Sequence, residues 1–228
     1  MKKKLNKGLV TSISTASVAF LGFLAIMFLV LCGYNFKIDK FNVFVANNRT
    51  SFLTGFMEIF THLGSFYTLA VLALIGVVLI WFVKKDKRMS AFYAGCFALV
   101  CISNFIIKQI VRRIRPEHLM IIEETGFSFP SGHAMMIFAF FALAIHFVYK
   151  TIQNKPLKIT LISVFSVLIA GIGFSRIYLG VHYLTDILAG FLISYVVVAV
   201  SMILYNTKLF KFLKDKEKET KLDTETEE

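Results

Sequence analysis

The chain has little of what marks secreted, zinc-binding or loop-rich proteins. Only three cysteines occur in its 228 residues, and Cys32, Cys96 and Cys101 all lie inside apolar runs. Their spacing suits neither a disulfide framework nor a zinc site; they read as small buried hydrophobes. Only three prolines are present, Pro116, Pro130 and Pro156, each between apolar runs. Acidic residues are scarce, 14 against 25 Lys and Arg, for a formal net charge of +11. A charge of that sign raises nucleic-acid binding, which wants a basic face on a soluble fold. Here the cations fall between apolar runs, and no nucleic-acid partner is expected. Internal repeats are absent too, so the chain reads as one domain.

What the chain has in excess is apolar surface: 57% of its residues are hydrophobic and its mean hydropathy is +0.72. Soluble domains run at about 45–50% apolar. The surplus is gathered into six runs, at about 14–34, 65–83, 89–110, 132–150, 157–175 and 183–205. A helix needs roughly 17–25 mostly apolar residues to cross a bilayer, because in hydrocarbon the backbone must satisfy its own hydrogen bonds. The expected fold is therefore all-α, a polytopic membrane protein with six transmembrane helices. Residues 1–207 form the membrane domain, and 208–228 form a charged tail too poor in apolar residues to be ordered. The first run follows a basic start, as a signal peptide does. It is long for one and lacks a small-x-small cleavage site, so it is expected to stay as an anchor.

Charge orients the runs. With the N-terminus inside, 17 of the 25 cations fall on inner segments, which places both termini in the cytoplasm. Of the eight outer cations, Lys108, Arg112, Arg113 and Arg115 crowd one stretch, and Arg176 stands at the outer end of another run. Topology does not ask for them there, and they point to an anionic ligand. Segment 35–64 is the longest outer connection. Phe52, Leu53, Phe56, Ile59, Phe60 and Leu63 fall near helical spacing within it. That pattern fits an amphipathic helix in the interface, or one packed on the other spans.

Three clusters fall at outer ends of runs: Lys108 to Arg115-Pro116; Pro130-Ser131-Gly132-His133; and Ser175-Arg176, His182 and Asp186. Arg offers a planar fork matched to phosphate oxygens, and Lys a point charge. Ser131 and Gly132 stand at a helix start, where free N–H groups and the helix dipole favour an anion. Ser131 alone is equally a natural N-cap. His182 and Asp186 are four apart and share a face if the sixth span begins by His182. A carboxylate on one ring nitrogen leaves the other as nucleophile or base. His133 beside the Ser-Gly start can protonate a leaving oxygen and later activate water. His62, His118 and His146 lack such company and read as structural. Two histidines and an aspartate also raise a metal site, but Lys108, Arg115 and Arg176 would repel a cation and themselves neutralise phosphate charge.

These three motifs resemble the signature of the type 2 phosphatidic acid phosphatase (PAP2) superfamily, and the layout is similar to its bacterial lipid-phosphatase branch. The resemblance implies a metal- and cofactor-independent, two-step hydrolysis in which His182 attacks phosphorus to form a phosphohistidine. Asp186 orients His182, and His133 protonates the leaving group and then helps water release phosphate. Lys108, Arg115, Ser131, Gly132 and Arg176 hold the phosphoryl oxygens, joined by Arg112 or Arg113, which are not signature positions. The implied substrate is a lipid phosphate or pyrophosphate, undecaprenyl pyrophosphate ahead of phosphatidylglycerophosphate. It would be reached at the outer face of a bacterial plasma membrane. A lipid phosphotransferase using the same histidines and a non-enzymatic lipid-phosphate carrier are the alternatives.

Overall fold

The computed structural model describes residues 7–34 and 36–206; the charged tail expected at 208–228 lies outside the described residues. It contains eight α-helices among those residues: α1 (Lys7–Leu31), α2 (Phe41–Asn47), α3 (Ser51–Thr61), α4 (Phe66–Phe82), α5 (Lys87–Val111), α6 (Gly132–Thr151), α7 (Lys155–Tyr178) and α8 (Leu184–Asn206). Short 3-10 turns cover Lys37–Lys40, His62–Gly64 and Glu117–Leu119.

The starts of these helices are written locally. Thr50, Ser65, Asp86, Ser131 and Asn154 each accept a hydrogen bond from the backbone N–H three residues on, and so cap α3 to α7. Each such cap is worth about 1 kcal/mol, because it satisfies one of the first-turn N–H groups. Pro156 sits in the first turn of α7, where its missing N–H costs nothing.

Among the described residues, five helices are long and apolar enough to cross a membrane: α1, α5, α6, α7 and α8. The remaining expected run, 65–83, matches α4, which joins the helix before it as one bent element. In it Ser51–Gly64 and Phe66–Phe82 meet at a 44° bend. The break falls at the Ser65 cap, where the expected run begins. The run expected at 14–34 begins earlier and ends sooner, at Lys7–Leu31.

Helix α6 is the axis of the bundle and packs on α4, α5, α7 and α8, while α1 lies along α8. Val100, Ala134, Met135, Ile137, Ala139 and Ile172 are almost wholly buried around it. Gly190 of α8 lets that helix close on α6: a Cβ there would lie 3.1 Å from both the Ser131 carbonyl and the Ala134 Cβ. The Ser194 hydroxyl meets its need inside this interface by donating to the Met135 carbonyl at 2.8 Å. Outward faces are the reverse of a soluble protein's. Leu21, Phe28, Leu74, Phe82, Phe105 and Val167 are all exposed, as lipid contact allows.

Segment 36–64 proves to be packed on the bundle, and it presents an apolar outer face as well. Helices α2 and α3 both contact α7. Asn42, Val45, Met57 and Thr61 face inward and are buried, while Phe52, Phe56, Ile59 and Leu63 are exposed.

Candidate active site

All three sequence clusters meet at one end of the bundle, where α5 and α7 finish and α6 and α8 begin. The loop 112–131 closes over them. Its anchor is Arg115, which is buried and donates to the carbonyls of Gly126 (3.0 Å), Thr125 (3.0 Å) and Val181 (2.8 Å). Lys108 reaches the Phe127 carbonyl from the last turn of α5. Asn104, one turn earlier, donates to the Pro130 carbonyl at 3.2 Å.

The turn between α7 and α8 delivers His182. Its backbone is held by Asn42, whose amide donates to the His182 carbonyl at 2.6 Å and whose amide oxygen accepts from Leu184 N–H at 3.2 Å. Gly180 makes the turn possible. It has φ +75°, and a Cβ would sit 1.9 Å from the Leu119 carbonyl oxygen. Helix α8 begins at Leu184, two residues later than the sequence reading allowed, so His182 stands on the turn before the helix. The two still face each other: His182 Nδ1 is 3.5 Å from Asp186 Oδ2, a proximity without a formed hydrogen bond. Asp186 also accepts from Tyr183 N–H at 2.9 Å, the side-chain arm of a capping box at the start of α8.

The two ring nitrogens of His182 thus face different partners. Nδ1 looks toward Asp186, and Nε2 lies 3.2 Å from Arg115 Nη1. The ring is 2% exposed. Burial pushes its pKa well below the ordinary 6.5, and the neighbouring Arg115, Lys108 and Arg176 push it further in the same direction. The imidazole is neutral at physiological pH, which leaves one ring nitrogen with a lone pair.

Arg176, 1% exposed, donates to the Thr61 hydroxyl at 2.9 Å and to Glu124. Its Nε is buried without a hydrogen-bond partner. Glu124 also lies 3.8 Å from Arg115 Nη2. A carboxylate from the overlying loop therefore sits between the two arginines the sequence assigned to phosphate. Ser131 is fully buried; its N–H goes to the Asp186 carbonyl (3.1 Å) and its hydroxyl caps Ala134 N–H (3.4 Å). That leaves the first-turn N–H groups of Gly132 and His133, which by helix geometry have no partner in α6, as the backbone donors of this site. The His133 ring packs beside Gly64, where an added Cβ would lie 3.3 Å from its Cδ2.

Two basic residues do not go where the sequence reading put them. Arg112 caps α5 in the left-handed region at φ 50°, is exposed, and donates to the Gln109 carbonyl. Arg113 is committed to carboxylates: its Nη1 binds Asp186 Oδ1 at 2.7 Å and its Nη2 binds Asp39 Oδ2 at 2.8 Å. Asp39 and Asn42 were missed by sequence reasoning. Asp39 is one of few acids outside the inner loops and tail, but nothing in its local pattern points to α8.

The bundle and this end of it define a helical membrane protein with a buried histidine site ringed by cations, and the proteins it matches make that class a phosphatase. Residues 89–210 match the family described as the PAP2 superfamily, over half the chain, and the chain belongs to that superfamily. It is 32% identical over 149 residues to phosphatidylglycerophosphatase B of Bacillus subtilis, covering 63% of this chain and 70% of that one. It is 22% identical over 188 residues to undecaprenyl-diphosphatase of Sulfolobus acidocaldarius, covering 75% and 84%. The crystal structure of the transmembrane PAP2-type phosphatidylglycerolphosphate phosphatase from Bacillus subtilis superposes with a TM-score of 0.75. The two are 25% identical, over 82% of this chain and 94% of that one. The fold also resembles Aquifex aeolicus LpxE, at 24% identity and a TM-score of 0.56, over 72% and 93%.

Proposed function

We propose that the chain removes phosphate from a lipid phosphate or pyrophosphate at the outer membrane face, through a phosphohistidine on His182 and without a metal. The observation that carries this reading is the split environment of His182, with Asp186 toward Nδ1 and the arginine cradle toward Nε2. A phosphoryl group held by Arg115, Arg176, Lys108 and the start of α6 would lie against Nε2. The lone pair on Nε2 attacks phosphorus, the bond from phosphorus to the lipid-side oxygen breaks, and His133 gives that oxygen a proton. His133 then takes a proton from water, the water oxygen bonds to phosphorus, and the phosphorus–nitrogen bond breaks to release phosphate. Asp186 balances the positive charge that His182 gains in the first step. Three cations around the phosphoryl oxygens supply the neutralisation a metal would otherwise provide.

The outer face is supported by the cation bias of the loops at the opposite end. The exposed apolar faces around the site end, Phe52, Phe56 and Ile59 among them, suit a substrate whose tail stays in the bilayer. The names of the relatives support two substrates. We place undecaprenyl pyrophosphate first and phosphatidylglycerophosphate second.

The test is phosphate release by protein purified in detergent, across undecaprenyl pyrophosphate, phosphatidylglycerophosphate, phosphatidate and a soluble phosphate ester, ranked by kcat/KM. His182→Ala and His133→Ala should abolish release while the protein stays folded. Full activity in either variant rejects the mechanism. A soluble ester turned over as well as the lipids rejects the substrate class.

A further inference from the structure

Resting on that reading, we infer that Arg113 and Asp39 are positioning residues of the reaction. They form a charge chain that holds Asp186 and, through it, sets His182. Neither belongs to the signature positions.

The geometry divides Asp186 by oxygen. Oδ1 is taken by Arg113 Nη1 at 2.7 Å. Oδ2 is left to Tyr183 N–H at 2.9 Å and to His182 Nδ1 at 3.5 Å. The guanidinium is fixed from three further sides. Its other nitrogen binds Asp39 Oδ2 at 2.8 Å, Nη1 also donates to the Thr185 hydroxyl at 2.7 Å, and its plane lies 3.9 Å over the Tyr183 ring. Asp39 in turn accepts from Thr185 N–H at 3.0 Å and from the Thr185 hydroxyl. Asp186 is fully buried and Asp39 is 8% exposed. A buried carboxylate with one anchored oxygen cannot rotate away from the histidine that the other oxygen serves.

Charge adds a second argument. With both carboxylates ionised, the shared guanidinium leaves the chain Asp39–Arg113–Asp186 one net negative charge beside a neutral His182. As Nε2 bonds to phosphorus the imidazole becomes positive, and that residual charge stabilises it. If tying the Lys37–Lys40 turn to α8 were the whole purpose, the Asp39–Thr185 bonds would suffice. Arg113 extends that tie to the one carboxylate that faces the nucleophile.

The experiment compares Asp39→Asn, Arg113→Gln and the charge-keeping Asp39→Glu and Arg113→Lys. The readouts are kcat and KM on the panel lipid that wild type turns over fastest, and the Ki of inorganic phosphate. Rates are normalised to protein that melts cooperatively in detergent. Asp39→Asn and Arg113→Gln should lower kcat by about 10–100-fold, the scale at which outer partners act on a reacting group. KM and the phosphate Ki should stay within about threefold, because the lost interaction acts in the transition state. The charge-keeping variants should retain more kcat than their neutral counterparts, and they carry the same comparison if the neutral ones do not fold. Unchanged kcat in Asp39→Asn and Arg113→Gln would overturn the inference, as would weakened phosphate binding with kcat intact, which would return Arg113 to the phosphate cradle. Wild-type protein that releases no phosphate from any lipid would instead sink the functional reading beneath it.

Discussion

His182 illustrates how environment sets chemistry at a single residue. Its position before α8 removes it from water and puts Arg115 against one nitrogen. Together these keep its pKa well below 6.5. Two pH effects follow. Catalysis should show no acid limb at the ordinary histidine pKa, because His182 is already neutral as pH falls through 6.5; a pH profile of kcat/KM checks this. Stability goes the other way. Below 6.5 the unfolded chain binds a proton at residue 182 that the folded one refuses, so folding should weaken as pH falls through and below that value. His182→Gln should remove that share of the acid sensitivity, read as a flatter dependence of Tm on pH.

Glu124 supports a second prediction at this scale. It lies against both Arg115 and Arg176, at the position the proposed phosphoryl group would take. Glu124→Gln should lower the Ki of inorganic phosphate, by roughly tenfold if one charge-assisted pair worth about 1.5 kcal/mol is removed. An unchanged or higher Ki would mean that the loop carboxylate does not contend with phosphate.

Among the elements, the α7–α8 turn is the most demanding. Gly180 needs both a positive φ and the absence of a Cβ, since the Leu119 carbonyl would be 1.9 Å away. Gly180→Ala should cost about 1–3 kcal/mol from the backbone strain alone and more from the clash. It should also lower kcat, because the same turn presents His182. Thermal melting with a parallel rate measurement checks both effects; a stable, fully active variant would contradict the packing of loop 112–131 on this turn. In the bent pair Ser51–Gly64 and Phe66–Phe82, the run read at 65–83 and the helical pattern before it are adjoining helices. Apolar content marks a crossing segment, but the Ser65 cap decides that two helices meet there at an angle. The inward residues of α2 and α3 then become the floor under Arg176 and the His182 turn.

For the molecule as a whole, orientation is the property to test. In a variant lacking Cys32, Cys96 and Cys101, a cysteine at Glu117 should react with a membrane-impermeant maleimide added to intact cells. One at Lys85 should react only after permeabilisation. The reverse pattern would turn the site to the cytoplasm. Activity should also withstand chelators, and loss with EDTA that magnesium restores would put a metal into the reaction.

The sequence by itself determined the helical membrane class, because a bilayer admits few solutions for a backbone that must bond to itself. It also singled out His133, His182, Asp186 and the cations Lys108, Arg115 and Arg176 as candidates, because the proposed chemistry needs such side chains in such short motifs. Only the tertiary structure decided that Arg113 serves carboxylates, that Asp39 and Asn42 reach across from a distant turn, and that Glu124 lies in the arginine cradle. Apart from Arg115 and Glu124, the partners lie 52 to 146 residues apart in the chain, and no local pattern encodes a contact made only when helix ends converge.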